Sequence, residues 1–510
     1  MPIRSVCIVG GGTAGWMTAT ALAKNIPDLV ITIIEPDSIG TIGVGEATVP
    51  SVKDFILYTL GFNEQEWMAS CNATYKTSLK FNNFTSVDKD DSYFHTFTPT
   101  PIKIIDWRAL SLGKQKLRAY DEYNLMAEVS RQNKFDLGST EGAYSYNLDA
   151  SKFSSYCKSK CLEVGVTLVT DAVDKVMAED GLIEKLVLIT GEIIDADMFI
   201  DCTGFASILH KQALGSDFVS FSEFLPNNNA FATRISRDCN SEIDNYTTCQ
   251  ALGNGWSWNV PLYDRDGVGY VYSDKFITKA DALAEFKTYL KGKYGVDVDS
   301  LDIAHIPFGD SVGYTPTPWT GNCVAIGMSF SFIEPLESTA LWATTNQITS
   351  LVSAIQSNST GAVYRELFNE EMTTMIKKFR DFIVLHYSSG KREDTAYWKD
   401  LKNNIKIPIE VIEKIRNLET PNPEMGKATT LFGDDSWTTV ALGQQIINPK
   451  DKHLITFNNL DAYSDEALKN IKRYAKKFNT EIEALYLKNK RVVNSMSTHR
   501  EYLDEYIYRK

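Results

Sequence analysis

Near the N-terminus, Gly10-Gly11-Gly12-Thr13-Ala14-Gly15 satisfies Gly-x-Gly-x-x-Gly between the apolar run "SVCIV" and the amphipathic "TAGWMTATALAKN". Glycines at these places allow a tight turn and close approach of a pyrophosphate. The helix that follows offers unpaired N–H groups and a dipole that favours negative charge. "DLVITIIEP" then reads as a second strand ending in Glu35, at the distance from the turn where an acidic side chain accepts hydrogen bonds from a ribose. Gly10, Gly12, Thr13, Ala14, Gly15 and Glu35 are therefore candidate dinucleotide-binding residues. A glycine turn that binds nothing is the plain alternative, and the strand-turn-helix context outweighs it.

The later segment "FIDCTGF" helps choose the dinucleotide. Asp201-Cys202-Thr203-Gly204, after an antiparallel insertion, is similar to the second flavin-side segment of FAD monooxygenase-like chains, which favours FAD over NAD and adds Gly204. "WTGNCVAIGMSFSFIEPLEST", with Gly327, stands where such chains bring a strand and a helix start up to the flavin ring.

Four stretches in order, "GGGTAGWMTA", "GVGEATVP" (Gly43 to Pro50), "WSWNVP" (Trp256 to Pro261) and "EPLEST" (Glu334 to Thr339), sharpen this. From residue 3 to about residue 395 the chain resembles the flavin-dependent halogenases of the tryptophan-halogenase type, with Val260 the one conservative departure in the Trp-x-Trp segment. The resemblance implies a division of labour. FADH2 and O2 give a hydroperoxide, halide attacks it, and the hypohalous acid travels inside the protein to a lysine beside the organic substrate. It also implies that Gly45, Glu46 and Ala47 belong to the cofactor site. Trp256, Trp258 and Pro261 would lie by the flavin and steer its oxidant toward halide, although two aromatic residues packing into core is the simpler reading of that strand.

Within "ATYKTSLKFNNF" the family setting Tyr-Lys-x-x-x-Lys-Phe makes Lys76 the catalytic lysine. A strand starting there sets Lys76, Ser78 and Lys80 on one face, so periodicity alone keeps Lys80 in play. The second catalytic group implied is Glu337, expected in the first turn of a helix begun by Pro335, whose N–H groups also suit a halide. The family halide lies near a Thr and the following Gly; here Thr339 is kept and Ala340 replaces the Gly. The extra methyl restricts approach to the backbone, so bromide or iodide is expected in preference to chloride. "DSYFHTF" carries over His95 and Phe97 as substrate-pocket residues, and "TTLFGDDSWTTVALGQQIINP" offers Trp437 and Phe432. Asp434 and Asp435 do not align with the glutamate that grips free tryptophan in family members. The expected substrate is thus an electron-rich phenol, indole or related heteroarene. With one dinucleotide fingerprint visible, a separate NAD(P)H-dependent flavin reductase is the implied partner. A flavin-dependent aromatic hydroxylase is the competing enzyme, and a flavoprotein without catalysis the competing class.

These groups need a scaffold, and the pattern supplies an α/β fold: an FAD-binding Rossmann-like domain of the FAD monooxygenase type, an interleaved substrate domain and a helical C-terminal part. The expected division is an FAD-binding module over residues 1–395, with substrate segments at about 65–150 and 215–310, and a mostly helical pocket and cap over 396–510. Residues 165–204 read as an antiparallel meander whose last run rejoins a buried sheet, and Lys279 to Tyr294 as a helix. At 43% hydrophobic, the 510 residues suffice for one large composite core. A net charge of −13 argues against nucleic-acid binding. Eight scattered cysteines give no metal pattern, and no apolar run of about 18 residues exists to span a bilayer. No secretory signal is seen, so a cytoplasmic protein is expected, and a homo-oligomer is compatible with this reading. Lys488, Lys490, Arg491 and Arg500 read as a solvated basic face rather than a carrier-protein contact.

Overall fold

The computed structural model describes residues 2–37, 43–88, 91–99, 101–103, 106, 109–110, 118–388, 390–419, 432–446 and 464–509. The N-terminal strand Ser5–Val9 pairs in parallel with Val30–Ile34 on one side and Met198–Asp201 on the other. Thr167–Val169, Cys323–Ala325 and Trp319–Thr320 complete a six-stranded sheet. Its central strands Ser5–Val9 and Met198–Asp201 are buried almost throughout, as a parallel sheet covered on both faces requires. Helix Thr13–Asn25 packs on Ala150–Glu163 and Ala340–Gln356, with Met17, Ala21 and Leu22 fully buried as their spacing requires. The meander is Val173–Glu179, Leu182–Leu188 and Ile193–Ile194, and it returns to the parallel sheet at Met198.

A seven-stranded sheet forms the second body, in the order Ala304–Pro307, Asn229–Ser236, Arg265–Tyr272, Gly255–Pro261, Tyr246–Ala251, Ser78–Asn82, Ser92–Thr96. Helix Lys279–Tyr294 seals one face of it through Phe286 and Leu290 against Phe231, Tyr270 and Tyr272. A small sheet of Glu46–Ala47, Ser145–Leu148 and Thr74–Lys76 joins the two bodies. The C-terminal part is helical, with Ala362–Ser388, Asp434–Gly443 and Asp465–Asn494 its main described helices. Among the described residues no helix is long and apolar enough to cross a membrane.

The strand-turn-helix junction is steric in origin. Gly10 sits at φ +110°, and a Cβ there would lie 2.3 Å from the carbonyl oxygen of Cys202. Gly12 has open space around its Cβ position. Gly10→Ala should therefore lose about 2 to 4 kcal/mol of stability, whereas Gly12→Ala should lose less than about 1 kcal/mol. Urea unfolding of the two variants beside the parent chain checks the contrast, and equal losses would contradict it.

Candidate active site

Lys76 ends the strand Thr74–Lys76 and is fully buried. Its Nζ donates to the Thr48 carbonyl at 3.0 Å and to Ser338 Oγ at 2.8 Å, and lies 5.5 Å from the Phe97 ring centroid. Burial pushes the amine down to about 7, against the pull of Glu337 and Cys249, which raise it. Lys80 is not an equivalent. The chain leaves one sheet at Lys76 and enters another at Ser78, with Thr77 between them bonded to the Asn245 carbonyl. The expected single alternation is thereby broken, and Lys80 lies half-buried beside Phe94 and Tyr246.

Glu337 is 1% exposed. Its placement corrects the sequence expectation: the helix begins at Ala340, and Glu337 precedes it in a tight turn, Leu336–Ser338. Glu337 and Ser338 adopt φ +68° and +59°, a left-handed region that residues with side chains occupy only when their surroundings hold them there. What holds Glu337 is a pair of histidines. His95 Nδ1 lies 2.9 Å from both carboxylate oxygens, and His386 Nε2 lies 2.9 Å from Oε1. Burial works to raise the carboxyl, but the two histidines overcome it and hold Glu337 at about 2. His386 Nδ1 lies 2.8 Å from the Phe382 carbonyl, which can only accept, so that nitrogen carries a hydrogen.

The aromatic wall beside this cluster comes from four segments. Phe382 stacks on Phe432 at 3.9 Å and meets Trp437 edge-on at 5.4 Å. His95 is 5.8 Å from Phe382, and Trp342 packs on Phe379 at 4.6 Å. Asp434, close by in sequence, is paired with Lys414.

The four motif stretches also meet in space. A Cβ on Gly45, at φ +120°, would touch Val260 at 3.3 Å, which puts "GVGE" against the Trp-x-Trp strand. Trp256 Nε1 donates to Glu334 Oε2 at 2.8 Å, joining that strand to "EPLEST". Glu334 also accepts from Tyr387 at 2.6 Å and Asn227 at 2.8 Å. Gly327, at φ +68°, leaves only 2.9 Å between a Cβ and Ala14, which brings the third flavin-side segment to the first glycine turn.

A family model described as tryptophan halogenase matches residues 5–458. The chain belongs to the tryptophan halogenase family. It is 33% identical over 438 residues to the tryptophan 7-halogenase RebH of Lentzea aerocolonigenes, covering 81% of each chain. With the tryptophan 6-halogenase SttH of Streptomyces toxytricini it shares 32% over 452 residues, 82% of this chain and 84% of the relative. In three dimensions it matches a flavin-dependent halogenase from Xanthomonas campestris with a TM-score of 0.86 at 28% identity, covering 99% of both. The crystal structure of SttH matches with a TM-score of 0.84 at 29% identity, covering 98% of this chain and 99% of that one. The chain is accordingly an enzyme of a flavin-dependent oxidoreductase family, and FAD is the cofactor the family implies.

The residues present fit such a group. Helix Thr13–Asn25 starts at Gly12 without a side-chain cap, so its first N–H groups are left for an anion, and nothing crowds Gly12. Glu35 is partly exposed at the end of its strand, with one oxygen held 2.6 Å from Lys158 Nζ. Gly204, at φ +66°, accepts from Ser329 of the Gly327 segment at 3.2 Å, and the Glu46 carboxyl is raised by burial to about 7. Thr339 is buried and Ala340 exposed at the start of helix Ala340–Gln356, which likewise lacks a side-chain cap.

Of the residues named from sequence, Glu337 meets His95 and Lys76 meets Phe97, the two pairs linked by Ser338, which follows Glu337 and accepts from Lys76, while Trp437 joins them through Phe382. Trp256 and Trp258 are buried in one strand, their rings 6.2 Å apart. Sequence reasoning missed Ser338, Glu334 as an anchor, and His386, a lone histidine in "FIVLHY" that reads as core. It also misplaced Arg500, which is buried and donates to the Ser241 carbonyl at 3.1 Å.

The depressed amine has a thermodynamic signature. Between about pH 10.5 and 7 the unfolded chain binds a proton at Lys76 that the folded chain lacks, so this group's drain on stability grows as pH falls through that window. Lys76→Met should therefore melt about 3 to 5 °C above the parent at pH 7, with the gap closing toward pH 10. Scanning calorimetry at both pH values tests it; a variant less stable at pH 7 would contradict it.

Proposed function

We propose that this chain is an FADH2-dependent halogenase that replaces a ring hydrogen of an electron-rich aromatic compound, an indole, a phenol or a related heteroarene, with halogen. The observation that carries the reading is the buried Lys76 amine within one site with the ionised, doubly held Glu337 carboxylate. Gly10, Gly12, Thr13, Ala14, Gly15 and Glu35 would hold the dinucleotide end of FAD, and Gly45, Glu46, Ala47, Gly204 and Gly327 its flavin end. Bound in reduced form with O2, the flavin supplies the oxidising equivalents that turn halide into hypohalous acid.

The chain's own groups account for the rest. Lys76 binds the hypohalous acid by hydrogen bonding and, in its ammonium form, gives a proton to the departing hydroxyl, which leaves as water as halogen joins the ring. Glu337 accepts the proton that the ring carbon then loses. His95 and His386 keep that carboxylate oriented and ionised, while Phe97, Phe382, Phe432 and Trp437 exclude water and hold a flat ring. Trp256, Trp258 and Pro261 wall the flavin side. Asp434 is engaged by Lys414 and the described wall is aromatic, which suits an uncharged heteroarene better than a free amino acid. A separate NAD(P)H-dependent flavin reductase supplies FADH2.

Incubation with FADH2, O2, bromide and a panel of indoles and phenols should give monobrominated masses. Lys76→Ala should lose at least about 100-fold of that product, and Lys80→Ala should stay near the parent. Hydroxylated product, or bromination that survives Lys76→Ala, would overturn the reading.

Thr339 and Ala340 are the proposed halide contacts. The Ala340 methyl at the helix start narrows access to the backbone, so the larger, less strongly hydrated bromide should be used ahead of chloride. At equal concentrations bromide product should dominate by about tenfold or more, about 1.4 kcal/mol, with Ala340→Gly shifting the ratio toward chloride. Chloride product in excess from the parent enzyme would contradict this.

A further inference from the structure

The lysine strand Thr74–Lys76 lies at the edge of its three-stranded sheet, paired only with Ser145–Leu148. An edge strand leaves main-chain groups that must find other partners. Here they come from the C-terminal segment, beyond the matched residues 5–458. His499 Nε2 lies 3.2 Å from the Tyr75 nitrogen and accepts its hydrogen. Its Nδ1 lies 3.1 Å from the Ile243 carbonyl and therefore donates. One neutral ring in one tautomer thus spans the gap between the lysine strand and the segment that leads into the seven-stranded sheet. It also lies tilted against the Tyr75 and Phe135 rings and is fully buried. Burial pushes His499 down to about 3, so it stays neutral at working pH.

The segment around His499 is itself anchored. Ser497 and Thr498 pair with Phe135 and Lys134, and the His499 nitrogen donates to the Asn133 carbonyl at 2.8 Å. Arg500 bridges to Ser241, and Tyr508 donates to the Ala73 carbonyl at 2.9 Å. The C-terminal segment therefore grips the lysine strand at Ala73 and again at Tyr75, the residue before Lys76.

We infer that His499 is a positioning residue for Lys76, acting through the Tyr75 main chain, and that the C-terminal segment is part of the halogenating machinery rather than a passive cap. The inference rests on the function proposed above. A strand free to shift at Tyr75 would move the amine off the path of the oxidant, which would then escape or decay while its production continued.

Two amides separate the halves of the bridge. Asn reaches the Nδ1 position and keeps the bond to Ile243 but offers Tyr75 no acceptor; Gln reaches the Nε2 position and offers one. The full-length parent, H499N and H499Q are compared with FAD, NADH, a flavin reductase, bromide and indole. Brominated indole per O2 consumed is read together with hypobromous acid captured by monochlorodimedone. H499N is expected to lose about tenfold in yield, with O2 consumption unchanged and captured oxidant increased, while H499Q keeps at least half of the parent yield. Equal losses in the two variants, or an H499N loss that follows the folded fraction measured by circular dichroism, overturns the inference. Should H499N not fold, H499M takes its place under the same criteria. Absence of any brominated product from the parent, with indole and across the panel of indoles and phenols, overturns the halogenase reading itself and this role with it.

Discussion

The site depends on a buried amine that has a carboxylate in its vicinity and is not paired with it. Isolated in an apolar interior, Lys76 loses its proton easily; locked to a carboxylate, it would become an ordinary ion pair. The fold avoids the second outcome by occupying Glu337 with His95 and His386, while Lys76 is given two neutral oxygens, on Thr48 and Ser338. The left-handed turn at Glu337 and Ser338 serves both tasks, sending one side chain to the histidines and the next to the lysine. Such a conformation costs on the order of 1 to 3 kcal/mol at each residue, and the hydrogen bonds to His95, His386 and Lys76 offset it.

That turn is also where the two bodies of the protein meet. Glu334, three residues upstream, receives Trp256 from the seven-stranded sheet, Asn227 from the loop before it, and Tyr387 from the long helix Ala362–Ser388. One residue of that helix earlier, His386 reaches Glu337. Two acidic residues of one short motif are therefore fixed by the same helix and sheet. Just downstream, Ala340 begins the helix that packs on helix Thr13–Asn25. The glycine-turn helix, the amine and the aromatic wall are thus joined through about seven residues of chain, which is how a site assembled from distant segments keeps its geometry.

What the sequence disclosed follows from how local each signal is. The glycine turn and its flanking strand and helix obey short-range rules, and they fold as read. The meander, whose strands pair with sequence neighbours, was equally legible. Lys76 was legible from its motif but not from alternation, because the strand that periodicity extends to Lys80 breaks at Thr77 and changes sheets. Glu337 was legible as a residue and misplaced as a conformation, since nothing in "EPLEST" announces a positive φ at a glutamate. His386 and His499 were invisible for a simpler reason. Each acts on a group far away in the chain, and a histidine among apolar residues has no pattern of its own.

A sequestered Lys76 amine of lowered basicity underlies all of this. It is tested most directly by following the Nζ resonance of Lys76 against pH in protein labelled with nitrogen-15 at lysine Nζ, with Lys76→Met identifying the signal. A midpoint near about 7 is expected, well separated from those of the surface lysines. A Lys76 resonance that titrates together with the surface lysines, near about 10.4, would contradict it.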